Sequence, residues 1–326
     1  MKDVSVKAKA KMGKLPTRDL YDKLISDTSL ENKKELLNHK YPFLKNVNTK
    51  KEMEAGFFNN FYTELRSIDF FLGGIESQFF KNYFSIYEIY LIQKVIQSIV
   101  HHRLEKNILN LLHDPFSKNL HIKIDMDLKD FIESLSASRY YRTLLPFVNE
   151  NMDEDALIFL SSNALMKFYY RDLLKLSKEF KGKEKSWIRE LLGEQINLAN
   201  FEMVFRLKKF FNLNNNEIFN YLIEGGRGYN AKRLKELANI PLDDFLDRLN
   251  QSKYKGIFDR AEFSHIKIKE RMAKLYMSEI RKQRSDILYV ISVMSLIRIH
   301  YESLVGILEI DETLSMSDRY DLIIGR

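Results

Sequence analysis

Apolar residues recur at helical spacing along nearly the whole chain, and this pattern restricts the fold more than any other feature. Phe58, Phe61, Leu65, Ile68 and Leu72 follow the i, i+3, i+7 stripe of an amphipathic helix. From about Glu76 to Val100 the chain is apolar on more than one side. Phe79, Tyr83, Ile86 and Tyr90 form one row and Phe80, Tyr87 and Leu91 a second, which predicts one helix enclosed by others. Met166, Tyr169, Leu173 and Leu176 make the next stripe, followed by Leu192, Ile196, Ala199, Met203 and Leu207. Ile268, Met272, Tyr276 and Ile280 then precede Ile287, Ile291, Met294, Tyr301 and Leu308. Only 12 Gly and 5 Pro punctuate 326 residues, too few for the many tight turns of a sandwich or barrel. The predicted class is all-α, its wide cores filled by 23 Phe and 17 Tyr.

Three times, a long helix is followed closely by a second long helix, and a shorter helical segment precedes each pair. Leu24, Leu36 and Tyr41 match Leu237, Leu249 and Tyr254 at one offset of 213. Leu128, Ile132, Leu144 and Leu145 match Leu20, Leu24, Leu36 and Leu37 at an offset of 108. Three related helical units are therefore expected, 1–112, 113–226 and 227–326. Their period exceeds the roughly 20–50 residues of solenoid repeats, so they are subdomains. Connections are expected to be short except around Leu104–Met126 and Asn212–Asn230. In the former, Leu120, Ile122 and Ile124 alternate with polar residues and suggest a short strand. Asp19, Thr28, Ser29 and Ser285 read as helix starters.

The absence of cysteine removes disulfides, thiolate nucleophiles and cysteine-ligated zinc, and fits a reducing compartment. The N-terminal lysines precede no apolar h-region, so no secretory signal is expected. The most apolar stretch, Ile287 to Ile297, is shorter than the roughly 20 residues of a spanning helix and reads as buried. The net charge is +7, and much of the excess sits in Lys2, Lys7, Lys9, Lys11 and Lys14. Those lysines suit an acidic partner or anionic membrane. Elsewhere mixed signs along the helices do not foretell the one-sided basic face that nucleic acid needs.

No catalytic constellation emerges. Gly225-Gly226-Arg227-Gly228 lacks both the Lys-Ser/Thr and the preceding strand of a phosphate loop, and reads as a helix stop using glycine at positive φ. His101 and Glu105 are four apart, but two ligands do not make a metal site. Asp125, Asp127 and Asp130 lack the glycine and terminal glutamate of a calcium loop and read as a turn or helix cap. Asp243, Asp244, Asp247 and Arg248 read as an exposed helix face. No Gly-x-Ser-x-Gly is present. The chain is expected to be no enzyme and to need no cofactor, metal or small-molecule substrate.

Several motifs, in order and over essentially the whole length, resemble the C subunit of the bacterial and archaeal V-type (A/V-type) ATPases, the family of the d subunit in the eukaryotic enzyme. Lys7-Ala8-Lys9-Ala10-Lys11-Met12-Gly13-Lys14-Leu15 followed by Asp19-Leu20-Tyr21-Asp22-Lys23-Leu24 is similar to the family's opening. Asn197-Leu198-Ala199-Asn200 with Arg206 resembles its acidic-x-x-Asn and Arg, with Asn197 at the aspartate position. Leu222-Ile223-Glu224-Gly225-Gly226 and Ser252-Lys253-Tyr254 continue the likeness. Glu88 fits the acidic position of the first unit, while Leu91 and Gln97 replace its Asn and Arg. Around Leu296, Ile299 and Tyr301 the polar set is largely gone.

The resemblance implies three pseudo-threefold-related helical subdomains forming a funnel. It implies a non-catalytic central-stalk adaptor, one copy per complex, peripheral on the cytoplasmic face of the membrane. Such an adaptor receives the central shaft (the D and F subunits) and sits on the proteolipid rotor ring, transmitting torque for ATP synthesis and proton or other ion transport. Lys7, Lys9, Lys11 and Lys14 are the candidate partner-binding residues. A free helical scaffold organising soluble partners is the competing reading.

Overall fold

Side chains that close the first turn mark where seven of the described α-helices begin. The computed structural model describes residues 2–27, 29–148, 152–210, 213, 215–258, 265–310 and 319. In chain order the α-helices are α1 (Lys2–Met12), α2 (Arg18–Ser26), α3 (Leu30–Lys40), α4 (Lys50–Asp69), α5 (Gly74–Phe84), α6 (Ile86–Val100), α7 (Leu104–His113) and α8 (Leu128–Ser134). They continue as α9 (Tyr141–Leu144), α10 (Glu154–Leu176), α11 (Gly182–Phe210), α12 (Asn215–Tyr221), α13 (Ala231–Asn239), α14 (Leu242–Asn250), α15 (His265–Lys282) and α16 (Asp286–Glu309). No strand forms among the described residues.

Ser29 and Ser285 cap α3 and α16 through their hydroxyls, as expected. Thr49 and Glu52 form a reciprocal capping box on α4. Thr17, not Asp19, caps α2; Asp19 lies in the first turn, where its charge meets the positive end of the helix dipole. Thr28 lies outside the described residues.

The three long pairs are α4 with α5–α6, α10 with α11, and α15 with α16. The helix expected over 76–100 is interrupted at Ser85, whose hydroxyl donates to the Asn82 carbonyl at 2.7 Å and accepts from Arg139. The two expected long connections carry helices: α7 and a 3-10 turn Pro115–Asn119 in one, α12 in the other. Leu120 and Ile122 are buried and Ile124 is exposed, yet this extended stretch pairs with no strand among the described residues and forms no ladder.

Helix α16 is longer and more apolar throughout than the Ile287–Ile297 stretch suggested. Residues Asp286–Leu308 reach the length and hydropathy of a bilayer span, but 78% of the apolar window is buried against other helices.

Each short segment docks on a long pair adjacent in space, and the same step is taken three times. Tyr254, after α14, donates to Glu194 Oε2 of α11 at 2.9 Å and accepts from the Asn197 amide at 2.8 Å; Lys253 pairs with the same carboxylate. Tyr140, after α8, donates to Glu88 Oε2 of α6 at 2.6 Å, while Arg139 donates to Asn82 of α5 at 2.6 Å. Tyr41, after α3, packs edge-on against Tyr301 of α16 with ring centroids 5.8 Å apart. The first segment thus docks on the last pair.

This geometry corrects the register of the middle segment. Tyr140 matches Tyr254 at an offset of 114, which also aligns Phe131 with Phe245, Leu135 with Leu249 and Ser138 with Ser252. The aligned apolar residues are all buried, and each serine accepts from its tyrosine's backbone N–H. At the fourth residue of α3, where α8 and α14 carry Phe131 and Phe245, stands Lys33, 1% exposed. Its ammonium donates to the carbonyls of Ile307 (3.1 Å) and Ile310 (3.3 Å), capping the end of α16.

Beside it, Tyr21 and His300 Nδ1 share a buried hydrogen bond of 2.8 Å. Burial holds His300 down at about 4, against an ordinary 6.5. The unfolded chain therefore takes up a proton between pH 6.5 and pH 4 that the native protein refuses. Stability from this site is present above pH 6.5 and falls by about 3 kcal/mol across that window. Urea midpoints followed against pH should show the decline, and His300→Gln should flatten it. An unchanged slope in the variant would assign the acid sensitivity elsewhere.

Two apolar cores result. The larger runs from α1 through α10 to the start of α11 and takes in α15 and α16. The smaller joins Leu198–Leu207 of α11 to α12, α13, α14 and Phe258.

Candidate partner-binding recess

Tyr83 of α5, Gln195 of α11 and Tyr276 of α15 meet in the interior, one from each long pair, and all three are buried. The Gln195 amide donates to both phenol oxygens, at 3.0 Å to Tyr276, and the two phenols lie 2.8 Å apart. Tyr169 of α10 adds a bond of 2.7 Å to the Tyr83 carbonyl. Burial raises the pKa of Tyr83 and Tyr276, so both stay protonated and serve as neutral hydrogen-bonding groups. Three elements far apart in the chain are tied together at this point.

A recess of about 450 Å³ opens beside this junction, with walls from α6, α10, α11, α15 and α16. Tyr87, Tyr90 and Tyr170 supply aromatic surface, and Glu202 and Arg298 supply charge. A second cavity of about 350 Å³ shares Tyr87, Tyr90, Arg298 and Glu302 with it. Arg298 donates to Glu302 at 2.9 Å and lies 4.4 Å from the Phe58 ring centroid. Lys269 holds the other Glu302 oxygen at 2.7 Å. Burial by itself would push Glu302 upward; Arg298 and Lys269 outweigh it and hold the carboxyl below its ordinary range. Burial raises Glu202 against the pull of Arg206, 3.8 Å away.

The arrangement offers an aromatic surface with paired charges. No group of three His, Asp or Glu that could hold a metal occurs among the described residues. Arg298 and Glu302 carried a signal in the sequence, a charged i,i+4 pair set into an otherwise apolar helix. Gln195 carried none.

The lysines singled out from the sequence lie along α1 and just beyond it, and do not line the recess. Lys11 is buried and ion-paired with Glu64; Lys14 lies 3.6 Å from the same carboxylate. Lys7 sits 4.2 Å from the Phe71 ring centroid, and Lys9 faces solvent. The glycine run is both a positive-φ turn and a close approach. Gly225 has φ +105, and Arg227 N donates to the Gly193 carbonyl of α11 at 3.1 Å. Asn197 and Asn200 grip the backbone of Arg227 and Ile223 at 2.7–2.8 Å, which gives the Asn-x-x-Asn spacing its purpose. His101 ends α6, 3.4 Å from Glu154. Asp127 caps α8 by accepting from the Asp130 N–H at 2.8 Å. Asp243, Asp244, Asp247 and Arg248 are exposed on α14.

Comparison with known proteins gives the C subunit of the A-type ATP synthase of Methanosarcina mazei, 26% identical over 153 residues, 46% of this chain and 40% of that protein. The protein of the same name in Methanobrevibacter smithii is 26% identical over 175 residues, 52% of this chain and 45% of the relative. The Archaeoglobus fulgidus protein is 28% identical over 135 residues, 41% and 36%. The matched stretch spans less than half the length of each relative. Over a longer span, residues 4–309, the family model described as ATP synthase (C/AC39) subunit matches, and the chain belongs to that family.

Proposed function

We propose that the chain is a non-catalytic central-stalk adaptor of a V-type rotary ATPase, coupling the central shaft (the D and F subunits) to the membrane proteolipid ring. The recess where the three long helix pairs converge carries this reading. Its aromatic walls and paired charges suit the end of a helical shaft, and the Tyr83–Gln195–Tyr276 junction beneath it resists relative motion of the pairs. Torque needs a stiff part, and long helices packed through aromatic cores supply stiffness. The repeated docking of short segments supports three pseudo-threefold-related units, 1–112, 113–226 and 227–326, closed into a funnel. The adaptor sits peripherally on the cytoplasmic face of the membrane, one copy per complex.

The experiment exploits the absence of native cysteine. Tyr90→Cys places one thiol at the recess, and Leu109→Cys places one on an exposed face. A maleimide should label both in the isolated protein. Added shaft proteins should protect the first at least about tenfold and leave the second unchanged. Equal labelling, with neither shaft nor ring co-purifying from native membranes, would favour a free helical scaffold. Of the lysines, Lys9 and Lys14 are the solvent-facing ones. Reversing their charge should weaken rotor docking more at low salt than at high; an unchanged salt dependence returns them to ordinary surface.

A further inference from the structure

The hairpin turns of the three long pairs and the start of α1 gather at one end of the protein. Ser285, before α16, donates to Glu184 of α11 at 2.6 Å, and Phe79 of α5 meets Phe180, before α11, with ring centroids 5.3 Å apart. Ser5 of α1 donates to Asp286 at 2.6 Å, and Lys7 covers Phe71.

This end combines two properties. The first is a projecting apolar tip. Phe70 is 84% exposed, the most exposed large hydrophobic residue described. Phe71 is exposed beside it, their rings edge to face at 5.5 Å, on the turn between α4 and α5. The second is charge. The stretches 4–9, 66–76, 177–185 and 281–286 hold ten Lys and Arg against five Asp and Glu, most of the excess of the whole chain. Lys9, Arg66, Lys178, Lys181, Lys183 and Arg281 are exposed, and Glu179 is the one exposed carboxylate of these stretches.

We infer that the Phe70–Phe71 turn is a membrane-contacting tip that enters the interfacial layer of an anionic bilayer, held there by the surrounding cations. A convex pair of rings with lysines around it suits a fluid that closes over it, where aromatic rings partition to the headgroup level. The cations complement anionic headgroups. The inference rests on the proposed peripheral membrane location, but its test uses no other motor component.

The full chain is mixed with phosphatidylcholine vesicles, with and without phosphatidylglycerol, and vesicle-bound protein is measured by flotation. Binding is expected with the anionic lipid and is expected to weaken as salt is raised. Phe70→Ser should weaken it about tenfold or more while leaving the thermal melt unchanged, because that side chain is 84% exposed. Phe70→Trp should show a blue-shifted emission increment over the wild-type Trp187 signal when anionic vesicles are added. Full binding by the serine variant, or no blue shift, would make the contact purely electrostatic and overturn the tip. No binding of wild type to anionic vesicles would also overturn it. In that case retained protection of the Tyr90→Cys thiol by the shaft proteins would leave the adaptor reading standing.

Discussion

Leu24→Asp is expected to cost about 5 kcal/mol or more, enough to threaten the folded state of a protein with ordinary stability. Leu24 is wholly buried on α2, so the substitution removes its apolar contribution and leaves an unpartnered carboxyl in the core. The carboxyl will take up a proton in place of ionising, but its hydrogen-bonding groups remain unsatisfied. Leu237 stands 213 residues later and is also buried, so Leu237→Asp should be comparably severe. The two changes should fail in different places. Leu24 belongs to the core that includes α16, whereas Leu237 belongs to the core between α11 and α14. Amide exchange should therefore rise in α2, α3 and the end of α16 for the first variant, and over Leu198–Phe258 for the second. Identical, uniform exchange in both would show a single cooperative core; unchanged stability would refute the burial argument. Leu24→Ala, expected to cost about 2–5 kcal/mol, separates lost packing from buried polarity.

Gly225→Val is expected to cost about 2–5 kcal/mol. With φ at +105, a side chain adds backbone strain of about 1–2 kcal/mol. The new Cβ would also lie 2.5 Å from Leu174 Cδ1, where overpacking adds about 1–3 kcal/mol. Gly256→Ala is the matched control. Its φ is +78 but nothing lies within 4 Å of the added Cβ, so only the backbone cost should appear. Denaturant midpoints of the two variants should differ accordingly. Exchange at Ile223 and Arg227 should rise only in the first, since their N–H groups bond to Asn200 and Gly193. Equal destabilisation would show that the close approach to α10 is immaterial.

Helix periodicity places α4, α10, α11, α15 and α16 in the sequence, because a 3.6-residue stripe is a local property of backbone geometry. Serine and threonine caps are legible for the same local reason, although Asp19 competes there with the true cap Thr17. The break at Ser85 is not legible, since it depends on an arginine 54 residues away in the chain. The leucines of the middle short segment point to the wrong register. The Phe131, Leu135, Ser138 and Tyr140 match to the third segment is present in the sequence, but leucine spacing alone cannot tell which apolar face covers which helix.

The sequence by itself determined an all-α chain of three long helix pairs, and its motifs pointed to the family. Only the tertiary structure decided that the first short segment docks on the last helix. It also decided that Tyr83, Gln195 and Tyr276, 112 and 81 residues apart along the chain, meet beside a recess. The physical reason is that apolar burial drives association without direction. Which helices pair, and at what angle, is settled by the fit of ridges and grooves across the whole assembly, and no local spacing encodes that fit.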